Sequence, residues 1–207
     1  EKVIAHVHDS GRIKELLYPG NIVSLRKAKD TSKRKTEWDL ISARAEDGED
    51  ILLNSSFHRY ISENILNDEE ISPLGKADSV KAEVKYGHSR LDYLVEKEGQ
   101  KIWIEVKGVS LSVNRHAIFP DAPSIRACKH LETLMELKEK GDRAGVLLLI
   151  FRNSEDFSPN WETDPQFSKL FYRAQKNGVE IYPVQLKFEK GKIFYTDKKI
   201  KIVPKKI

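Results

Sequence analysis

Two carboxylates and a lysine stand close together in mid-chain: Asp92 in Ser89-Arg90-Leu91-Asp92, then Glu105 and Lys107 in Lys101-Ile102-Trp103-Ile104-Glu105-Val106-Lys107. In the second segment Ile102, Ile104 and Val106 alternate with Trp103, Glu105 and Lys107, the two-residue period of a strand, so Glu105 and Lys107 project from one face. Leu91 to Glu96 reads as the preceding strand, and Glu98-Gly99 forms the centre of a short hairpin connection. A loop symmetric about those two residues sets Asp92 directly opposite Glu105, with Cβ atoms about 4.5–5.5 Å apart. Like charges at that separation destabilise a sheet unless a cation or a proton lies between them. Mg2+ or Mn2+ suits such oxygen ligands, taking one or two carboxylates and leaving its other positions to water and phosphate. Lys107, one pleat further on, could then orient an attacking water or offset charge on a scissile phosphate. The spacing thus points to a metal-dependent phosphodiesterase site; its alternative is a solvated hairpin carrying a surface charge cluster of small energetic consequence.

An Asp closing one strand and an acid-x-Lys on the next resembles the core of the PD-(D/E)xK nucleases. A longer series is similar, in order and spacing, to the sugar fermentation stimulation protein A family: Tyr86-Gly87-His88-Ser89-Arg90-Leu91-Asp92, Ile104-Glu105-Val106-Lys107-Gly108-Val109-Ser110-Leu111, Phe119-Pro120-Asp121-Ala122 and Lys129-His130-Leu131. His6-Val7-His8-Asp9-Ser10-Gly11-Arg12 and Tyr18-Pro19-Gly20 resemble that family's N-terminal small barrel. The chain departs from the family pattern at Asp9 and His88, where Asn is usual, and across Ile125-Arg126-Ala127-Cys128, where a Gly is usual. These departures spare Asp92, Glu105 and Lys107 and fall on the details of substrate contact. The resemblance implies DNA binding and an association with sugar, particularly maltose, metabolism. It also brings forward two further acids as metal ligands: Glu63, on the helix where many nucleases of the superfamily carry an additional acid, and Glu83, in the strand before Asp92. Each is otherwise an ordinary solvated carboxylate.

Composition sets outer limits. The 207 residues, 39% of them hydrophobic, suffice for one large or two small domains with real cores. No apolar run approaches the roughly 20 residues that span a bilayer, and no signal-peptide pattern opens the chain, so a cytoplasmic protein with no membrane partner is expected. Cys128 stands alone, which excludes an internal disulfide and a cysteine zinc cluster. The only methionine is Met135 and the chain opens inside a strand-like run, so an upstream strand is expected.

The balance of 36 Lys and Arg against 32 Asp and Glu leaves only +4, so the distribution of charge says more than its sum. Arg26, Lys27, Lys29, Lys33, Arg34 and Lys35 crowd one connection, with Trp38 at its edge. A cationic loop beside an aromatic can hold a phosphate backbone and stack a base; the alternative is a solvated loop with Trp38 in the core. Arg90, beside Asp92, joins the candidate DNA contacts. Arg126, Lys129 and His130 fall in the first turns of a helix, where the dipole disfavours cations. Either an anion such as a DNA phosphate is expected there, or ion pairs with Asp121 or Glu132.

The elements that would position these residues form a mixed α/β protein: an OB-like β-barrel over residues 1–53, then a restriction-endonuclease-like α/β domain over 54–207. Val3–Val7, Asn21–Leu25, Glu37–Ala43 and Asp50–Leu53 read as the strands of the first. Asn54-Ser55-Ser56 caps a helix with Tyr60, Ile61, Asn64 and Ile65 at helical spacing. Val80–Tyr86 is a strand; Asp121, with Pro123 after it, starts a helix that Gly141 ends, carrying Cys128, Leu131, Leu134 and Met135 inward. Gly145–Ile150 is wholly apolar, as in a strand covered on both faces. A helix from Asp164-Pro165 to about Asn177, a strand Val179–Gln185 and a hairpin turning at Lys190-Gly191 complete the pattern.

Two functional classes follow: a Mg2+- or Mn2+-dependent DNA endonuclease, and a DNA-binding regulator that keeps the nuclease fold without turnover. The absence of a base-reading motif makes sequence-independent or structure-selective binding the expectation. A small phosphorylated ligand is disfavoured by the lack of a glycine-rich phosphate loop. A homodimer, common where both strands of DNA are cut, stays open.

Overall fold

The computed structural model describes residues 2–9, 11, 13–32 and 34–204. The candidate DNA contact Lys33, and Ser10 and Arg12 of the N-terminal motif, lie outside the described residues. In chain order the elements are β1 (Ala5–His6), β2 (Val23–Lys27), β3 (Trp38–Arg44), β4 (Asp50–Leu52), α1 (Phe57–Asn67), β5 (Ser79–Tyr86), β6 (Ser89–Lys97), β7 (Gln100–Val109), β8 (Leu111–Val113), β9 (His116–Phe119), α2 (Ile125–Glu139), β10 (Arg143–Ile150), β11 (Asp156–Pro159), α3 (Pro165–Lys176), β12 (Glu180–Glu189), β13 (Lys192–Tyr195) and β14 (Lys201–Ile202).

The first four strands form a small sheet in the order β1-β3-β2, with β4 also pairing β3; among the described residues it does not close on itself. The main sheet runs β13-β12-β10-β7-β6-β5. Its centre, β7-β10-β12, is parallel, and the meander β5-β6-β7 is antiparallel. The apolar run in β10 is central because it is covered on both faces, and all but its first residue are buried. On one face Leu131, Leu134, Phe167 and Phe171 from α2 and α3 pack against Trp103, Val146 and Leu148. On the other, Ile61 and Ile65 of α1 and Leu40 and Ile51 of the small sheet share a core with Ile102, Ile104, Leu147 and Leu149. The N-terminal sheet therefore packs directly on the second unit.

The cores also explain where helical spacing misleads. Tyr60 and Asn64 point outward, Tyr60 being 68% exposed, while Ile61, Ser62, Ile65 and Leu66 face the sheet. Asp121 does not cap α2; Ser124 does, accepting from the Ala127 N–H, and Asp164 accepts from both the Ser124 and Phe167 N–H groups, tying the starts of α2 and α3 together. A third sheet, β14-β11-β9-β8, has no counterpart in the sequence pattern, because strands of two to four residues are too short to show a period. No helix of the described residues is long and apolar enough to cross a membrane.

Candidate metal site and cationic cleft

The β6–β7 hairpin fixes the register. Glu98 and Gly99 have φ of 51° and 75°, the paired positive values that a two-residue turn matching strand twist requires. Lys97 then pairs with Gln100 and Tyr93 with Ile104. Asp92 lies one step beyond, the fourth of nine residues in β6 and not at its end, because the β5 hairpin carries the strand back to Ser89. There the regular ladder stops. Asp92 Oδ2 accepts the Val106 N–H at 2.7 Å, and on its other side the β5–β6 pairing skips Glu83 and Asp92. Leu91 and Leu94, three residues apart, both join the α2-side core, a spacing that an undistorted strand does not allow. Glu83 adopts φ 56°, a left-handed conformation that costs a non-glycine residue energy and recurs at functional sites.

Glu105 and Lys107 share a face, as the alternation requires, and that face meets α2. Glu105 is 2% exposed, which removes the solvated-hairpin alternative. Its Oε1 accepts Lys107 Nζ at 2.5 Å and also His130 Nδ1, while Oε2 is buried with no hydrogen-bond partner. Burial pushes the Glu105 carboxyl up, but the His130 hydrogen bond and the charges of Lys107 and His130 outweigh it and hold the group below its usual value. Burial first, and the Glu105 charge second, push Asp92 up to about 6. The two carboxylates thus sense each other, and the polar atom left without a partner belongs to the pair.

A cleft of about 330 Å3 opens on Asp92. Ser55, His58, Arg59 and Ser62 of α1 and the turn before it form one wall, held by the buried Tyr93 hydroxyl, which bonds Ser62 Oγ at 2.8 Å and donates to the Arg59 carbonyl at 3.0 Å. His58 stacks on Phe151 with ring centroids 5.2 Å apart, over the backbone at Gly108, where a Cβ would overlap its ring. Burial lowers His58 to about 4, so its imidazole is neutral. Arg126 lines the same cleft and a second, adjoining one with His88, Arg90 and Lys129.

The structure separates the other candidates. Glu63 pairs with Arg59 at 2.9 Å, and Glu83, on the cleft wall, with Arg90 at 2.8 Å. Neither joins Asp92 and Glu105 as a third carboxylate, and among the described residues no three His, Cys, Asp or Glu side chains are grouped to hold a cation. Arg126 and Lys129 are exposed and, among the described residues, pair with neither Asp121 nor Glu132. In the N-terminal unit Arg34 is turned inward onto Asp39 at 2.6 Å and Arg26 lies 5.1 Å over the Phe57 ring. Lys27 and Lys35 are exposed and Trp38 is half-buried. His130, grouped by sequence with the helix-start cations, is instead a buried partner of Glu105; its signal was its place on the α2 stripe with Ala127 and Leu134.

These features define a class: an α/β protein whose small N-terminal β unit packs on a mixed sheet that holds a buried carboxylate–lysine–histidine cluster beside a cationic cleft. Residues 1–53 match the SfsA N-terminal OB domain and residues 56–192 the sugar fermentation stimulation protein RE domain. The chain belongs to the sugar fermentation stimulation protein (SfsA) family. A homolog from Thermosipho melanesiensis is 47% identical over 93% of this chain and 81% of its own, and one from Methanococcoides burtonii is 42% identical over 94% and 78%. Pyrococcus furiosus SfsA, solved in complex with Ca2+, superposes with a TM-score of 0.87 at 28% identity, covering 97% of this chain and 85% of that one.

Proposed function

We propose that this chain binds DNA and cleaves its phosphodiester bonds with Mg2+ or Mn2+ held by Asp92 and Glu105, in the manner of the PD-(D/E)xK nucleases. The observation that carries the reading is the pair itself: two adjacent carboxylates, Asp92 raised by burial first and by the Glu105 charge second, with Glu105 Oε2 buried and unpartnered. A buried acceptor without a donor is costly, and an all-oxygen pair suits a hard divalent cation. The Ca2+ complex of the Pyrococcus furiosus relative supports a divalent site. When bound, such a cation supplies Lewis-acid polarisation of a phosphoryl oxygen.

The remaining roles fall to the chain's own groups. Lys107, paired with Glu105 in the resting site, offsets charge on the scissile phosphate when it turns to the substrate. Arg126 and Lys129, without carboxylate partners, and Arg90 guide the backbone into the cleft. These are phosphate contacts, which supports sequence-independent or structure-selective binding. A regulatory outcome in sugar use is supported by the family's description, and maltose by resemblance alone.

Supercoiled plasmid and branched DNA incubated in Mn2+ test the proposal. The parent should nick, and Lys107→Ala should lose on the order of 100–1000-fold in rate while still retarding DNA. A second reading, a DNA-binding regulator without turnover, draws on the fact that Lys107 already pairs with Glu105, and His130 hydrogen-bonds it, without a cation. Retardation by both proteins with cleavage by neither would select it.

A further inference from the structure

We infer that His130 is a positioning residue for the carboxylate pair: its Nδ1–H fixes Oε1 of Glu105, so that Oε2 is presented to the divalent cation and Lys107 is free to leave. The inference rests on the metal-site reading above. Glu105 carries both of its donors on Oε1 and none on Oε2. A purely structural buried ion pair gains most by spreading its donors over both oxygens, since each buried oxygen left bare bears a desolvation cost. The one-sided arrangement is what a ligand needs: one oxygen held, the other open.

The two donors are held very differently. Lys107 reaches Glu105 from two residues along the same strand, on a flexible four-carbon stem. His130 arrives from α2, is 5% exposed, and sits on the helix face that takes Ala127 and Leu134 into the core. The helix itself is pinned by the Ser124 cap and the Asp164 bridge to α3. An ionised carboxylate only accepts, so Nδ1 must carry the hydrogen. When Lys107 turns to a substrate phosphate, His130 keeps Oε1 satisfied, and Glu105 does not rotate away from the metal position. Hydrogen bonds of this kind behind a metal ligand fix its orientation and set metal affinity.

The test is calorimetric titration of Mn2+ into the full chain without DNA, for the parent and for His130→Asn, His130→Gln and His130→Leu, with melting curves in EDTA to establish that each is folded. Asn places an amide nitrogen where Nδ1 stands; Gln carries it one atom further, toward the place of Nε2. Asn should bind Mn2+ within about threefold of the parent, and Gln and Leu about 10–100-fold more weakly. The Asn–Gln contrast decides the matter even where Leu fails to fold. Equal affinity in parent, Asn and Gln overturns the inference, as does a loss in Asn as deep as in Gln. A parent that takes up no Mn2+ overturns the metal-site reading itself, a result distinct from tight binding that ignores His130.

Discussion

Two of the histidine–carboxylate pairs among the described residues invite comparison, the buried Glu105–His130 on the main sheet and the half-buried Asp156–His116 on the small third sheet, and only the first has the makings of a site. In the second, His116 Nδ1 meets Asp156 and its Nε2 meets Ser158 Oγ at 2.8 Å, joining β9 to β11 side by side. Ser158, His116 and Asp156 even follow the order of a nucleophile triad, yet Ser158 is only 5% exposed, and the three act as a clip. The Glu105 pair differs in three respects: an oxygen without a partner, a second carboxylate next to it, and alongside it the cleft lined by Arg90, Arg126 and Lys129. The difference teaches that a histidine on a carboxylate is a packing device until something nearby is left unsatisfied.

The largest expected effect cuts between the two pairs directly. Glu105→Gln removes the charge of the proposed ligand and should weaken Mn2+ binding by about 100-fold or more, whereas Asp156→Asn should leave it unchanged and lower stability by about 1–3 kcal/mol through a lost charge-assisted hydrogen bond. Calorimetry and urea denaturation on both variants read this, and metal loss in Asp156→Asn would erase the distinction.

Asp92 supplies the next. Its folded pKa, pushed up to about 6 from 3.8, exceeds the unfolded value, so the folded state holds the proton more tightly. The resulting cost to stability is absent below about pH 3.8, grows as pH rises and is complete above about pH 6. At 1.36 kcal/mol per pKa unit it reaches about 3 kcal/mol, so metal-free Asp92→Asn should become more stable than the parent across that window. Urea midpoints between pH 4 and 7 in EDTA measure it; a pH-independent difference would mean that burial and the Glu105 charge together do not raise Asp92.

Gly108 tests the cleft. Gly108→Ala drives a Cβ into the His58 ring, and overpacking of this kind costs about 1–3 kcal/mol. A lowered melting temperature with slower DNA nicking is expected, and an unchanged protein would show that His58 moves aside freely. The smallest effect concerns the surface. Arg126→Ala with Lys129→Ala should reduce the salt slope of DNA retardation by about 2, while Lys27→Ala with Lys35→Ala should change it by less than about 1. Equal losses would place the N-terminal unit in the DNA path as well.

Much of the site was legible because strands alternate with a period of two. The apolar–polar alternation of 102–107 places Glu105 and Lys107 on one face, and Glu98-Gly99 sets the hairpin register, all within ten residues. The roles of Glu63, Glu83 and Arg34 were not legible, since an exposed acid or base reads the same in sequence whether it faces a metal, a phosphate or an opposite charge. Here each has a counter-ion: Arg59, Arg90 and Asp39.

By itself, then, the sequence determined the local geometry of the longer elements: which residues form the strands of the main sheet and the three helices, where the β6–β7 hairpin turns, and that a lysine and a carboxylate share a face of β7. Only the tertiary structure decided that this face is buried under α2, that His130 reaches Glu105 from 25 residues away, and that α1 raises a wall beside Asp92. The physical reason is range. Backbone periodicity acts over a few residues and fixes direction within an element, whereas the identity of a buried partner depends on how whole elements dock, which is set by the summed packing of two cores on opposite faces of one sheet.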